Sequence, residues 1–230
     1  MLFRSIKDII PMFLTPLYIF TFDRHKELKS MVFDYLQNDK VYEQYSTERY
    51  IKLSGPNLHK EQMFSPYYHF MMNCYSFAMQ DLGYTQNVSM TAMWSTKQEP
   101  GMYHHPHKHG NSFLAGVFYF HGGDKTFGTN FFNPDNLLTI APNRDFTRPA
   151  RLNADYSTPF TEGDFIIFPA WTLHSTSPNL DTETRYIIGS NVMPVGRTTD
   201  EVYDRFNYPD ASGMSLDFNV QDYNNYRKGS

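Results

Sequence analysis

Four of the chain's nine histidines fall within six positions: His104, His105, His107 and His109, in GMYHHPHKHG. Divalent metals are held by several neutral imidazoles converging on one point, and such clustering is the pattern that supplies them. His107 and His109 are spaced i, i+2. On an extended segment that spacing sends both rings to one face, so one stretch of backbone positions two ligands. A third ligand must come from elsewhere, and His174 is the candidate. It stands in EGDFIIFPAWTLHSTSP, where Gly163-Asp164 makes a turn, Phe165 to Phe168 read as a buried strand and Pro169 ends it. His121, beside a glycine turn, is a weaker candidate. His25, His59 and His69 sit in the helical half in ordinary settings. The bland alternative for the cluster is an exposed polar loop that happens to be rich in histidine.

Arg185 opens the strand RYIIGSNV. Alternation puts Arg185, Ile187, Gly189 and Asn191 on one face, and Tyr186, Ile188 and Ser190 on the other. An arginine at a strand end can snorkel to solvent. If it points inward it needs an anion, and a carboxylate matches its fork. A metal site and a carboxylate-binding arginine on one barrel read together as a metal enzyme with an acidic co-substrate.

These residues need elements to carry them. Leu28, Met31, Val32, Tyr35 and Leu36 predict a helix over 24–38, with Asp23 as N-cap. Phe70, Met71, Cys74, Phe77 and Ala78 predict a second over 66–82, with Gly83 at its C-terminal cap. Beyond residue 88 the rhythm changes to short apolar or alternating runs over 88–95, 113–120, 127–132, 137–140, 164–168 and 184–193. Turn chemistry separates them, as in Glu99-Pro-Gly, His121-Gly-Gly-Asp and Asn133-Pro-Asp-Asn. The expected fold is mainly β with N-terminal helices (α+β), a double-stranded β-helix of jelly-roll or cupin-like form. One domain is expected over 1–230: a strand and helices in 1–87, the barrel core in 88–197, and a polar Tyr/Asn-rich tail in 198–230. Aromatic residues make up 17% of the chain, which favours strands.

The formal charge is −4 with no basic run, so no nucleic-acid partner is expected. The apolar run 9–20 is broken by two prolines and is too short to span a bilayer, so it reads as a strand entering the fold, with no membrane role. A single cysteine, Cys74, excludes an internal disulfide and a multi-cysteine zinc site. On the helix stripe it reads as inert core in a reducing, intracellular protein.

The stretch from Trp94 to Phe120 resembles the Fe(II)/2-oxoglutarate-dependent oxygenases, in their prolyl-hydroxylase-like branch. The resemblance rests on Trp94, Pro100-Gly101, His107-Lys-His109, Ala115-Gly-Val-Phe-Tyr119, Gly163 to His174, and Arg185. It covers 90–193 well and 10–40 faintly, through Phe13 to Leu17. It implies a double-stranded β-helix with Fe(II) held by His107, His109 and His174, and 2-oxoglutarate chelating the metal. Arg185 would hold the far carboxylate of that co-substrate. Dioxygen would complete the reaction, giving succinate, CO2 and a hydroxylated substrate.

The sequence departs from the common pattern in one place: His109 stands where two-histidine, one-carboxylate sites carry an acid. Softer roles follow. Trp94, Tyr103 and Tyr119 can wall the site, and the Tyr103 hydroxyl or Asn191 can contact the co-substrate. Met102, His104 and His105 can form a lid, or one of the two histidines can act as a spare ligand. The rival readings are a three-histidine cupin enzyme without 2-oxoglutarate, and a non-catalytic metal-binding or structural module. The substrate is unspecified. The resembled branch implies the cytoplasm, of a host cell if the protein is viral, and exposed barrel edges make a homodimer an open expectation.

Overall fold

The computed structural model describes residues 14–43, 51–122, 127–133, 155–197 and 207–208. The expected strand over 137–140 and most of the tail lie outside these residues. In chain order the elements are β1 (Tyr18–Thr21), α1 (His25–Gln37), β2 (Lys52–Leu53), α2 (Ser65–Asp81), β3 (Val88–Gln98), β4 (Leu114–His121), β5 (Phe127–Phe131), β6 (Tyr156–Pro159), β7 (Asp164–Pro169), β8 (His174–Thr176), β9 (Arg185–Pro194), β10 (Gly196–Arg197) and β11 (Asn207–Tyr208).

A six-stranded sheet runs β1-β7-β4-β9-β3-β2, and a three-stranded sheet runs β6-β5-β8. Every pairing between these strands is antiparallel. The two sheets face each other as the halves of the double-stranded β-helix, and the larger one is covered outside by α1 and α2. Its central strands are therefore buried on both faces, and each face has its own core. Ala115, Val117, Tyr119, Ile166, Phe168 and Ile187 join Phe131 and Phe160 inside the barrel. Leu114, Phe118, Phe120, Phe165, Ile167, Tyr186, Ile188 and Val192 pack against the helices. The alternation expected along β9 is thus real: odd positions face the barrel interior and even ones face the helices.

The helices lie close to the expected spans, but their packing faces differ. In α1, Val32 and Leu36 are buried while Met31 is 46% exposed. Asp23 does not cap it: the N-cap is Arg24, which makes no side-chain cap bond and pairs instead with Glu27 at 2.9 Å. In α2 the buried set is Tyr67, Met71, Cys74, Tyr75, Ala78 and Met79, while Phe77 is 55% exposed. Two tyrosines turn this face, because their hydroxyls find buried partners. Tyr67 meets His25 Nδ1 at 3.1 Å, and Tyr75 meets Ser190 Oγ at 2.9 Å. Burial pushes the Cys74 thiol up to about 12, so it is core, as the sequence implied. Gly83, at φ +83°, ends the helix as expected.

Candidate metal centre

Gly101, at φ +82° after Pro100, turns the chain out of β3. The chain then runs antiparallel beside 170–179 and extends the smaller sheet. Gly101 N donates to Asn179 O at 2.7 Å and Asn179 N to Met102 O at 2.9 Å. Thr176 N donates to His104 O at 3.2 Å, His107 and His174 exchange bonds of 2.8 and 3.0 Å, and His109 N donates to Ala170 O at 3.0 Å. This edge seats both ends of the expected ligand set on one backbone ladder.

His107, His109 and His174 come together: one ring nitrogen from each lies within 4.8 Å of those of the other two. The Nε2 atoms of His109 and His174 are 3.1 Å apart. Each Nδ1 faces an acceptor: His105 O at 2.7 Å for His107, Asn191 Oδ1 at 2.6 Å for His109, and Thr172 O at 2.9 Å for His174. That pattern assigns the ring protons to Nδ1 and turns the Nε2 lone pairs inward. Burial, reinforced by the neighbouring His107, lowers the pKa of His109 to about 4 and that of His174 to about 2. Both rings are therefore neutral at pH 7. Neutral rings with Nδ1–H tautomers direct lone pairs at each other across 3.1 Å, an arrangement that a cation between them would relieve. The donor set fits a divalent transition metal, iron, nickel and zinc among them.

Aromatic rings enclose this point. Phe168 meets His174 edge-on at 4.6 Å, Trp94 lies 5.7 Å from His109, and Phe131 packs on Phe168 at 4.9 Å. Trp94 therefore lies beside His109, where the sequence reading allowed it to wall the site. The indole lies over Gly189, its partner in register on β9. His104 stacks on His107 with ring centroids 3.8 Å apart, and burial and nearby imidazoles lower its pKa to about 3. Neither it nor exposed His105 is in the converging trio.

Arg185 is fully buried and faces the barrel interior, with Nε donating to Gln98 Oε1 at 2.8 Å and Nη2 to Ser177 O. Its guanidinium lies 5.7 Å over the Phe160 ring. Burial lowers its pKa to about 10, which leaves it cationic at pH 7. It does not snorkel. Gln98 was not singled out from the sequence, yet it ties the arginine to the metal loop. Its Nε2 donates to Thr176 Oγ1 at 2.9 Å, and the same hydroxyl accepts from His104 N at 2.7 Å. The link follows from the register of β3 and β9, in which Gln98 pairs with Arg185, and no local sequence pattern announces it.

The remaining expected residues have other partners. Tyr103 is half-buried, its ring 4.9 Å from His105. Tyr119 spends its hydroxyl on Thr129 at 3.0 Å and Thr158 at 2.5 Å, and burial pushes its pKa up to about 12. Asn191 shares the interior face of Arg185, and its Oδ1 is the acceptor for His109. His121 sits apart from the trio, with Nδ1 3.2 Å from Glu162, which also pairs with Lys29 at 2.7 Å.

Residues 92–191 match the family described as "Putative 2OG-Fe(II) oxygenase". No curated protein matches the sequence. Among solved structures, a prolyl-4-hydroxylase from Pseudomonas putida superposes with a TM-score of 0.55 at 10% identity, over 77% of this chain and 92% of that one. The carbocyclase SnoK from nogalamycin biosynthesis, described as non-heme and alpha-ketoglutarate dependent, gives 0.57 at 11% identity, over 93% and 86%. HygX from Streptomyces hygroscopicus, solved with nickel, 2-oxoglutarate and hygromycin B, gives 0.55 at 10% identity, over 78% and 83%. At these identities the structural likenesses establish the double-stranded β-helix fold.

Proposed function

We propose that this chain, whose barrel carries the 2OG-Fe(II) oxygenase sequence pattern, is an Fe(II)- and 2-oxoglutarate-dependent oxygenase that hydroxylates its substrate. The observation that carries the reading is the convergence of three imidazoles on one point, each with its Nδ1 set against an acceptor. His107, His109 and His174 would hold the iron through Nε2. Bound there, Fe(II) would supply the redox chemistry that couples decarboxylation of 2-oxoglutarate to oxidation of a substrate C–H bond by O2. The overall balance is substrate-H, 2-oxoglutarate and O2 going to substrate-OH, succinate and CO2.

The protein's part is positioning and exclusion. Arg185, cationic and wholly buried on the interior face of β9, would pair with the far carboxylate of 2-oxoglutarate, and Gln98 fixes the guanidinium plane. Trp94, Phe131 and Phe168 keep bulk water from the ligands. Three imidazoles add no negative charge, so a bound dication would keep its full charge toward a dianionic co-substrate, which would favour its capture.

The test is anaerobic titration of Fe(II)-loaded protein with 2-oxoglutarate, following the visible charge-transfer band of the chelate, then admission of oxygen and assay for succinate. A band that fades on oxygenation with release of succinate supports the reading. Metal binding with no band and no succinate refutes it. That outcome favours a three-histidine cupin-type enzyme or binding module, a second reading that the carboxylate-free ligand set brings forward. Product analysis separates hydroxylation from ring closure, the outcome named for the fold-mate SnoK.

A further inference from the structure

We infer that Asn191 is a positioning residue for the metal centre, setting the tautomer and orientation of His109. This rests on the metal-site reading above. The argument begins with where each ligand ring finds an acceptor for its Nδ1–H. His107 and His174 use the main-chain carbonyl two residues upstream, His105 O at 2.7 Å and Thr172 O at 2.9 Å. Any sequence offers those carbonyls. For His109 the equivalent atom is His107 O, and it is engaged by His174 N at 3.0 Å in the ladder that seats the metal loop. His109 instead uses the carboxamide oxygen of Asn191 on β9, at 2.6 Å.

The local backbone is built around this contact. The β3–β9 register shifts between Met90 and Ala92, opposite Val192 and Asn191. The extra residue, Thr91, donates its hydroxyl to Asn191 O at 3.3 Å. A bulge of this kind re-aims the side chains beside it. An outer partner on a ligating histidine fixes the ring and raises its basicity, and its loss costs 10–100-fold in metal affinity. His109 takes its Nδ1 acceptor from a side chain, so its orientation is open to tuning by substitution. The same strand carries Arg185, so one element would set both the metal ligand and the co-substrate anchor.

The experiment compares wild type, Asn191→Ala and Asn191→Asp. Cobalt(II) affinity is followed by its visible d–d absorption, and the histidine tautomers of the metal-free proteins by long-range ¹H–¹⁵N NMR. Asn191→Ala is expected to bind cobalt about 10–100-fold more weakly. The Nδ1–H signature of His109 should be lost while those of His107 and His174 remain. Asn191→Asp, which restores an acceptor, is expected to recover wild-type affinity or better. Unchanged cobalt affinity and an unchanged His109 tautomer in Asn191→Ala would overturn the assignment while leaving the metal centre standing. A wild-type protein that takes up no cobalt would overturn the metal-centre reading, and this inference with it.

Discussion

Replacing Gly189 with alanine tests the site through its wall. Gly189 lies opposite Trp94 across β3 and β9, and a Cβ there would stand 2.5 Å from both Cε2 and Cζ2 of the indole and 3.0 Å from Nε1. Carbon atoms pack best at about 3.5–4.0 Å, so the indole must retreat by about 1 Å or more. His109 is one of its neighbours, with ring centroids 5.7 Å apart. Overpacking of a buried position costs about 1–3 kcal/mol. For a chain of this length each kcal/mol corresponds to about 2–4 °C in Tm, so a fall of about 2–12 °C is expected. Displacement of the indole should also weaken cobalt binding and shift tryptophan fluorescence, to which only two residues contribute, Trp94 and Trp171. The control is Trp94→Phe combined with Gly189→Ala. The smaller ring makes room, so the double variant should be more stable than the two single losses predict, with a coupling of about 0.5–3 kcal/mol. If Gly189→Ala melts within 1 °C of wild type, or if the two substitutions simply add, the close approach of Trp94 to β9 does not support the site.

Four shorter predictions accompany it. His174→Ala should abolish stoichiometric metal binding by calorimetry, and full occupancy in that variant would remove His174 from the ligand set. Arg185→Met, close in volume but uncharged, should weaken 2-oxoglutarate binding roughly ten- to a hundredfold, the equivalent of about 1.5–3 kcal/mol for one charge-assisted contact, with metal affinity retained. Burial alone would raise the pKa of Glu162, but hydrogen bonds from His121, His25 and Lys29 hold it well below the usual carboxylate range. Its folded value lies below its unfolded one, so its contribution is complete above about pH 4.5 and disappears as the pH falls further. Urea melts of Glu162→Gln should accordingly show a deficit of about 1 kcal/mol near pH 7 that narrows below pH 4.5; a deficit independent of pH would mean the carboxylate charge is not what stabilises there. Cys74, its thiol pushed up to about 12, should resist iodoacetamide in the native state, and rapid alkylation at pH 8 without unfolding would contradict its burial.

Much of the site was legible because its chemistry follows strict spacing. An i, i+2 histidine pair and strict alternation along 185–191 depend on backbone period alone, and both hold. What escaped depends on cross-strand register, which no local pattern encodes. Gln98 matters because it pairs with Arg185, and Asn191 because Thr91 bulges opposite it. Asn191 stands on the interior face that alternation predicts, and what the sequence does not disclose is that its Oδ1 serves His109. The Tyr119 hydroxyl is taken up by Thr129 and Thr158, partners that only the folded barrel brings to it. The helix faces were misjudged for a related reason. On α2, counting apolar residues favours Phe77 over Tyr67 and Tyr75, whose hydroxyls find buried partners.

Strand β9 separates two environments with single-residue strictness, and that makes the site and the core fail together. A slip of the strand by one residue in its register would exchange its faces along the whole length. Arg185 and Asn191 would be driven against the helices, while Tyr186 and Val192 would enter the barrel in their place. The first loses its interior anchor, the second abandons His109, and an unplanned guanidinium meets an apolar layer. Such a chain has no partly active intermediate form to pass through. Length variation in this protein should therefore be confined to its loops, with β9 tolerating substitution on its helix face far better than any change in residue count.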